Sequence, residues 1–123
     1  MSYTATIQYF DNYIRVTTSG SIDSIEELFE YAALLAQKGE EYATTRALLD
    51  ERTLVNRTDV MDAYTLSESN ITAESAMKGV RIASLITPES MELGTVFETI
   101  LRNRSLNFKI FTDEKKAIAW LTA

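Results

Sequence analysis

Apolar and polar residues alternate near the start of the chain. Tyr3, Ala5, Ile7 and Tyr9 fall on one face and Thr4, Thr6 and Gln8 on the other, the period-two pattern of a strand. Asp11-Asn12 supplies a turn, and Tyr13 to Thr18 resumes with Ile14 and Val16 facing one way. This predicts an antiparallel hairpin at or near a sheet edge, ended by Gly20. From Ile22 the period lengthens, and Ile25, Leu28, Phe29, Ala32, Leu35 and Ala36 form one helical stripe. Ser24 with Glu27 is spaced as a capping box, and Gly39 suits a left-handed C-terminal position. Arg46 to Arg52 is a short apolar run bounded by charges, the signature of a strand covered on both faces. It is expected at the middle of the sheet, joined to the hairpin by a right-handed parallel crossover.

Thr53 to Met77 has a helical row, Val60, Tyr64, Ser67 and Ile71, but is dense in Ser and Thr, so it reads as one helix or two short ones, capped by Thr58 and closed by Gly79. Val80 to Ile86 is a further strand. Thr87-Pro88-Glu89 starts a helix running to about Arg104, with Leu93, Val96, Phe97, Ile100 and Leu101 buried and Gly94 inside it. Asn107 to Phe111 is the last strand, and Thr112-Asp113-Glu114 caps a final helix burying Ala117, Ile118 and Leu121. The expected fold class is α/β: a mixed, mostly parallel sheet of about five strands with an antiparallel N-terminal hairpin strand and four helices, in one domain over 1–123.

Composition narrows the chemistry. The chain has neither His nor Cys, which removes the usual zinc sites, Ser-His-Asp triads, thiolate catalysis, iron–sulfur ligation and disulfides. No metal or cofactor is expected. A net charge of −6 and a pI near 4.6 oppose binding to a nucleic-acid backbone, which needs clustered cations. There is no apolar run long enough to insert in a membrane and no signal-peptide pattern, so a cytoplasmic location is expected.

The candidate ligand- or partner-binding residues are Asp50, Glu51 and Arg52, at the carboxyl end of the central strand, where open α/β sheets bind ligands. The alternative for these three is a solvated strand end with local ion pairs. Arg52, Arg57 and Thr58, near the start of the second helix, form a candidate anion site, against ordinary capping and surface arginines. Asp113 and Glu114 are explained by the helix dipole. The pairs Tyr9 with Tyr13 and Phe108 with Phe111 read as core packing, with an apolar pocket as the alternative, and Trp120 as the edge of the core. A homodimer would use the Tyr-bearing edge strand or a helix face with Phe29 and Tyr31.

Arg81-Ile82-Ala83-Ser84-Leu85-Ile86, the helix through Phe97 to Asn103-Arg104, and Phe108-Lys109-Ile110-Phe111-Thr112-Asp113-Glu114 followed by Ala117-Ile118-Ala119-Trp120-Leu121 resemble the SpoIIAA-like family of the STAS/Sec14-like fold group. The order of elements resembles its fold over nearly the whole chain. The resemblance implies a binding domain without catalysis, taking a protein partner or a small ligand. Its anti-sigma-factor antagonists are phosphorylated on a serine after the central strand, in an Asp-Ser-x-Gly-like setting. Asp50 matches that aspartate, but Glu51 follows and no Ser-Gly does, so no phosphoacceptor is assigned; Thr53 and Thr58 are the nearest hydroxyls. Two other readings make distinct demands. A lipid or apolar small-molecule carrier of Sec14-like type requires a cavity of several hundred Å3 between helices and sheet, roughly the usual size of ligand sites. A carboxylate-based enzyme using Asp50 or Glu51 requires a deep pocket around a carboxyl with a raised pKa.

Overall fold

The computed structural model describes residues 2–123. Its sheet has five strands in the order β1-β2-β3-β4-β5: Tyr3–Phe10, Tyr13–Ile22, Arg46–Asn56, Arg81–Leu85 and Asn107–Phe111. The β1–β2 hairpin is antiparallel about Asp11-Asn12, in a register from Phe10 opposite Tyr13 to Tyr3 opposite Gly20, and all later pairings are parallel. This is the mixed sheet expected from the sequence. Two strands are longer than expected. β2 continues through Gly20 to Ile22, and β3 continues to Asn56 because its second half still pairs with β2 after β4 has ended at Leu85.

Five α-helices accompany the sheet: α1 Ile25–Glu41, α2 Val60–Ser67, α3 Asn70–Met77, α4 Met91–Arg102 and α5 Glu114–Leu121. There is one more than the four expected, because the Ser/Thr-dense segment is divided. Ser69 starts a new helix by accepting from the Thr72 amide, so the preceding helix stops at Ser67. The cap of α2 is Asp59 rather than Thr58, in a reciprocal box with Asp62. Ser24 caps α1 as expected, accepting from the Glu27 amide, but the Glu27 carboxylate reaches past the cap to the Asp23 and Ser2 amides. At the other end α1 runs on past Gly39, and Ala43 takes the left-handed conformation.

The two sheet faces are unequally covered. Leu28 and Tyr31 of α1, Ala63 and Leu66 of α2, and Phe97, Ile100 and Leu101 of α4 pack with Ile22 and Phe108 on one face. On the other, α5 alone places Ala117 and Leu121 against Tyr13, Leu48, Ala83 and Leu85. Trp120 closes the edge of this smaller cluster, its ring 5.7 Å from Phe111 and 5.2 Å from the Arg81 guanidinium. The other aromatic contacts are Tyr3 with Tyr31, Tyr9 with Tyr42 and Phe10 with Tyr13, not Tyr9 with Tyr13. The α1 face carrying Phe29 and Tyr31 is turned inward, with Tyr31 buried and Phe29 packed on the core, so it is not open to a second copy. Among the described residues no helix is long and apolar enough to cross a membrane.

Candidate functional site

Asp50, Glu51 and Arg52 lie within β3, and the ladder is irregular there. Thr17 of β2 pairs with Asp50 while Ser19 pairs with Thr53, so two residues of β3, Glu51 and Arg52, stand opposite the single Thr18. An extra residue of this kind is a β-bulge, which re-aims the side chains that follow it. Its consequence is visible in packing. Before the bulge Leu49 lies on the α1 side and Leu48 on the α5 side; after it Leu54, not Thr53, returns to the large core. Glu51, two residues after Leu49, faces α1 to α4 by ordinary alternation, while Asp50 and Arg52 point toward α5.

On the inner face Glu51 holds a polar chain. Its carboxylate accepts from the Tyr31 hydroxyl at 2.7 Å and from Ser84 Oγ of β4 at 2.7 Å. The phenol has one proton and gives it to Glu51, so Thr18 Oγ, 2.9 Å away, donates to the Tyr31 oxygen. Three strands and α1 thereby converge on one carboxyl group. Burial pushes the Glu51 carboxyl above its usual range, aided by the nearby Asp50 charge and resisted by the two hydroxyl donors. Burial also pushes the Tyr31 phenol well up, with the Glu51 charge acting in the same direction.

This chain of groups opens on a cavity of about 840 Å3 between the sheet and the α1–α4 layer. The space exists because facing positions are small: Ala32, Ala36 and Gly39 along α1 and Thr72 and Ser75 on α3 leave unfilled volume above Leu49, Leu54 and Ile82. A Cβ at Gly94 of α4 would come 2.7 Å from Ile86 Cδ1, so the helix approaches the sheet closely there and diverges elsewhere. Glu51 keeps some accessible surface, and that surface belongs to the cavity lining.

The raised carboxyl makes a signed prediction. A folded-state pKa above the unfolded value, about 4.3, means that this group's stabilising contribution is complete at low pH. It is lost as pH rises from the unfolded to the folded pKa. Glu51→Gln cannot ionise, so its stability relative to wild type should increase with pH across that window, by at most about 1.4 kcal/mol per pH unit, and stay level above it. Urea unfolding of both proteins from pH 3 to 8 checks this; a difference that narrows with rising pH would contradict it.

On the outer face Asp50 binds two guanidinium groups, Arg15 at 2.7 Å and Arg52 at 2.8 Å, and both arginines also reach Glu114 at the start of α5. The Arg52 hydrogen bond comes first among the causes that hold the Asp50 carboxyl below its usual range; Arg15 acts in the same direction and partial burial opposes them. Asp113 caps α5 by accepting from the Lys116 amide. Arg57 and Thr58 lie beyond the end of β3 and are not brought to this group. Arg57 pairs with Asp23 at 2.7 Å, and buried Thr58 donates its hydroxyl to Asn56 at 2.6 Å.

No family model matches the chain, and no curated protein matches it. Solved structures do. An anti-sigma factor antagonist from Mycobacterium paratuberculosis superposes with a TM-score of 0.62 at 13% identity, over 99% of this chain and 96% of that one. An uncharacterised protein of the DUF3478 family from Shewanella loihica, described as having a SpoIIAA-like fold, gives 0.57 at 20% identity, over 98% and 93%. The fold is SpoIIAA-like. In this SpoIIAA-like chain the residue after Asp50, where the resemblance places a phosphoacceptor serine, is a carboxylate turned into the cavity.

Sequence reasoning missed Tyr31 and Ser84 as partners of Glu51. Tyr31 lies three residues after Leu28 and four before Leu35, inside the apolar stripe of α1, where a polar-tipped aromatic needs a buried partner for its hydroxyl. Ser84 is the polar residue among the inward positions of β4, alongside Ile82. Those were the available signals.

Proposed function

We propose that this SpoIIAA-like protein is a non-catalytic binding module for a small, mainly apolar molecule held between the sheet and the α1–α4 layer. The cavity carries this reading. At about 840 Å3 it falls within the range of small-molecule sites, and its lining is mostly apolar, with Glu51, Tyr31 and Ser84 converging on it from the sheet and α1. Apolar walls contribute affinity and the Glu51 group sets orientation. The carrier reading required such a space; the protein-partner reading, suggested by the anti-sigma factor antagonist among the structural neighbours, does not.

The test is titration with N-phenyl-1-naphthylamine, an uncharged apolar fluorophore that brightens out of water. Saturable binding of one probe per chain is expected, with Kd of about 1–100 μM. Ala32→Trp, which fills space from α1, should weaken it at least about tenfold while leaving the circular dichroism unchanged. Absence of saturable binding to wild type, or undiminished binding to a folded Ala32→Trp protein, overturns the reading. A carboxylate-based enzyme would convert its ligand, so recovery of an apolar ligand unchanged after long incubation separates carriage from turnover.

A further inference from the structure

The cavity has a charge asymmetry. Its charged lining residues are Glu40, Arg46, Glu51, Arg52, Lys78 and Glu89. The three cations among them are directed elsewhere. Arg46 donates to the Leu121 carbonyl on the α5 side, Arg52 binds Asp50 and Glu114 on that same side, and Lys78 pairs with Glu40 at the rim at 2.9 Å. Glu89 is exposed in the 3-10 turn Pro88–Ser90. Among these, Glu51 alone presents an ionisable group deep inside.

Its two partners, Tyr31 and Ser84, are neutral hydroxyls, and no ion pair of Glu51 occurs among the described residues. A carboxylate withdrawn from water without a cation is costly, and hydroxyl donors offset only part of that cost. Each Glu51 oxygen accepts one hydrogen bond, which leaves about two acceptor positions of the four a carboxylate offers. The missing component is a positive charge with N–H donors.

We propose that the ligand is a cationic amphiphile, an apolar body bearing one protonated amine, whose ammonium group pairs with the Glu51 carboxylate beside Tyr31 and Ser84. This rests on the reading of the cavity as a ligand site. An ammonium group completes the carboxylate's hydrogen bonds and neutralises its charge in a medium where charge-assisted bonds are strong. A fatty carboxylate of the same length brings a second negative charge against Glu51 and is rejected. The net charge of −6 adds a long-range preference of the same sign.

The experiment is displacement of N-phenyl-1-naphthylamine by dodecylamine, dodecanol and laurate, below their aggregation limits, at pH 7 and physiological salt. Dodecylamine should displace the probe at about one-tenth the concentration needed for dodecanol and about one-hundredth that for laurate. In Glu51→Gln, shown folded by its own probe binding, the amine should fall to within about threefold of the alcohol. Laurate competing as well as the amine, or an amine preference that survives in Glu51→Gln, overturns the inference while leaving the cavity reading intact. If the variant does not fold, the wild-type ranking alone decides. Failure of the probe and all three amphiphiles to bind wild type overturns both.

Discussion

Gly20→Ala should destabilise the protein by about 3–5 kcal/mol, as the sum of two independent penalties. The first is conformational. Gly20 has φ of +99°, a region that L side chains rarely enter, at a cost of about 1–3 kcal/mol for a non-glycine residue. The second is steric. A Cβ there would meet the Ser2 carbonyl oxygen and come 2.9 Å from Tyr3 Cα, backbone atoms at the start of β1 and just before it, which cannot rotate away. Moving β1 would disturb the Ser21 amide bond to the Ser2 carbonyl and displace Tyr3, which packs edge-on against Tyr31 at 5.4 Å. Since Tyr31 holds Glu51, the damage should extend to the cavity wall, and probe affinity should fall along with the urea midpoint. A Gly20→Ala protein within about 1 kcal/mol of wild type would show that neither penalty is felt.

The same glycine illustrates what was legible in the chain. Glycine after a run of β-forming residues reads as an end, yet β2 carries on because the unusual φ at Gly20 is accommodated without leaving the ladder. The succession of strands and helices and the helix faces followed from apolar periodicity, which is local and repeated; the strand order in the sheet did not. Nor did the return of Leu54 to the inner face. Strict alternation puts Thr53 with Leu49 and Glu51, and only the bulge brings Leu54 to the inner face. Nothing in Asp-Glu-Arg-Thr announces an extra residue, because a bulge is defined by the partner strand. The hydroxyl partners of Glu51 lie 20 residues before it and 33 after it in sequence. No spacing rule links such positions. The volume above them is a sum of small side chains from two helices, each unremarkable in its own turn.

Asp50→Ala should cost about 3–5 kcal/mol, the range for removing one partner from a largely buried ion pair. The Asp50 side chain is 10% accessible and that of Arg15 16%, so the loss leaves the Arg15 guanidinium poorly hydrated, with only Glu114 at 3.3 Å to compensate. Arg52 loses both its side-chain bonds to Asp50 and the bond from its own amide. The effect should be mostly the uncompensated charge rather than the pair's intrinsic worth. Arg15→Met should therefore cost less in the Asp50→Ala background than in wild type, with a coupling energy of about 1–3 kcal/mol from a double-mutant cycle. Acid adds a second check with its own sign. The Asp50 carboxyl titrates below its usual range, so its contribution is complete above the unfolded value of about 3.9 and is lost as pH falls through the folded one. The gap between wild type and Asp50→Ala should accordingly close on acidification, whereas the gap between Glu51→Gln and wild type opens as pH rises. Two adjacent carboxyls on opposite faces of one strand then contribute to the pH–stability profile in opposite directions. Additive double mutants, or a gap that widens in acid, would place the strength of this face outside the Arg15–Asp50 pair.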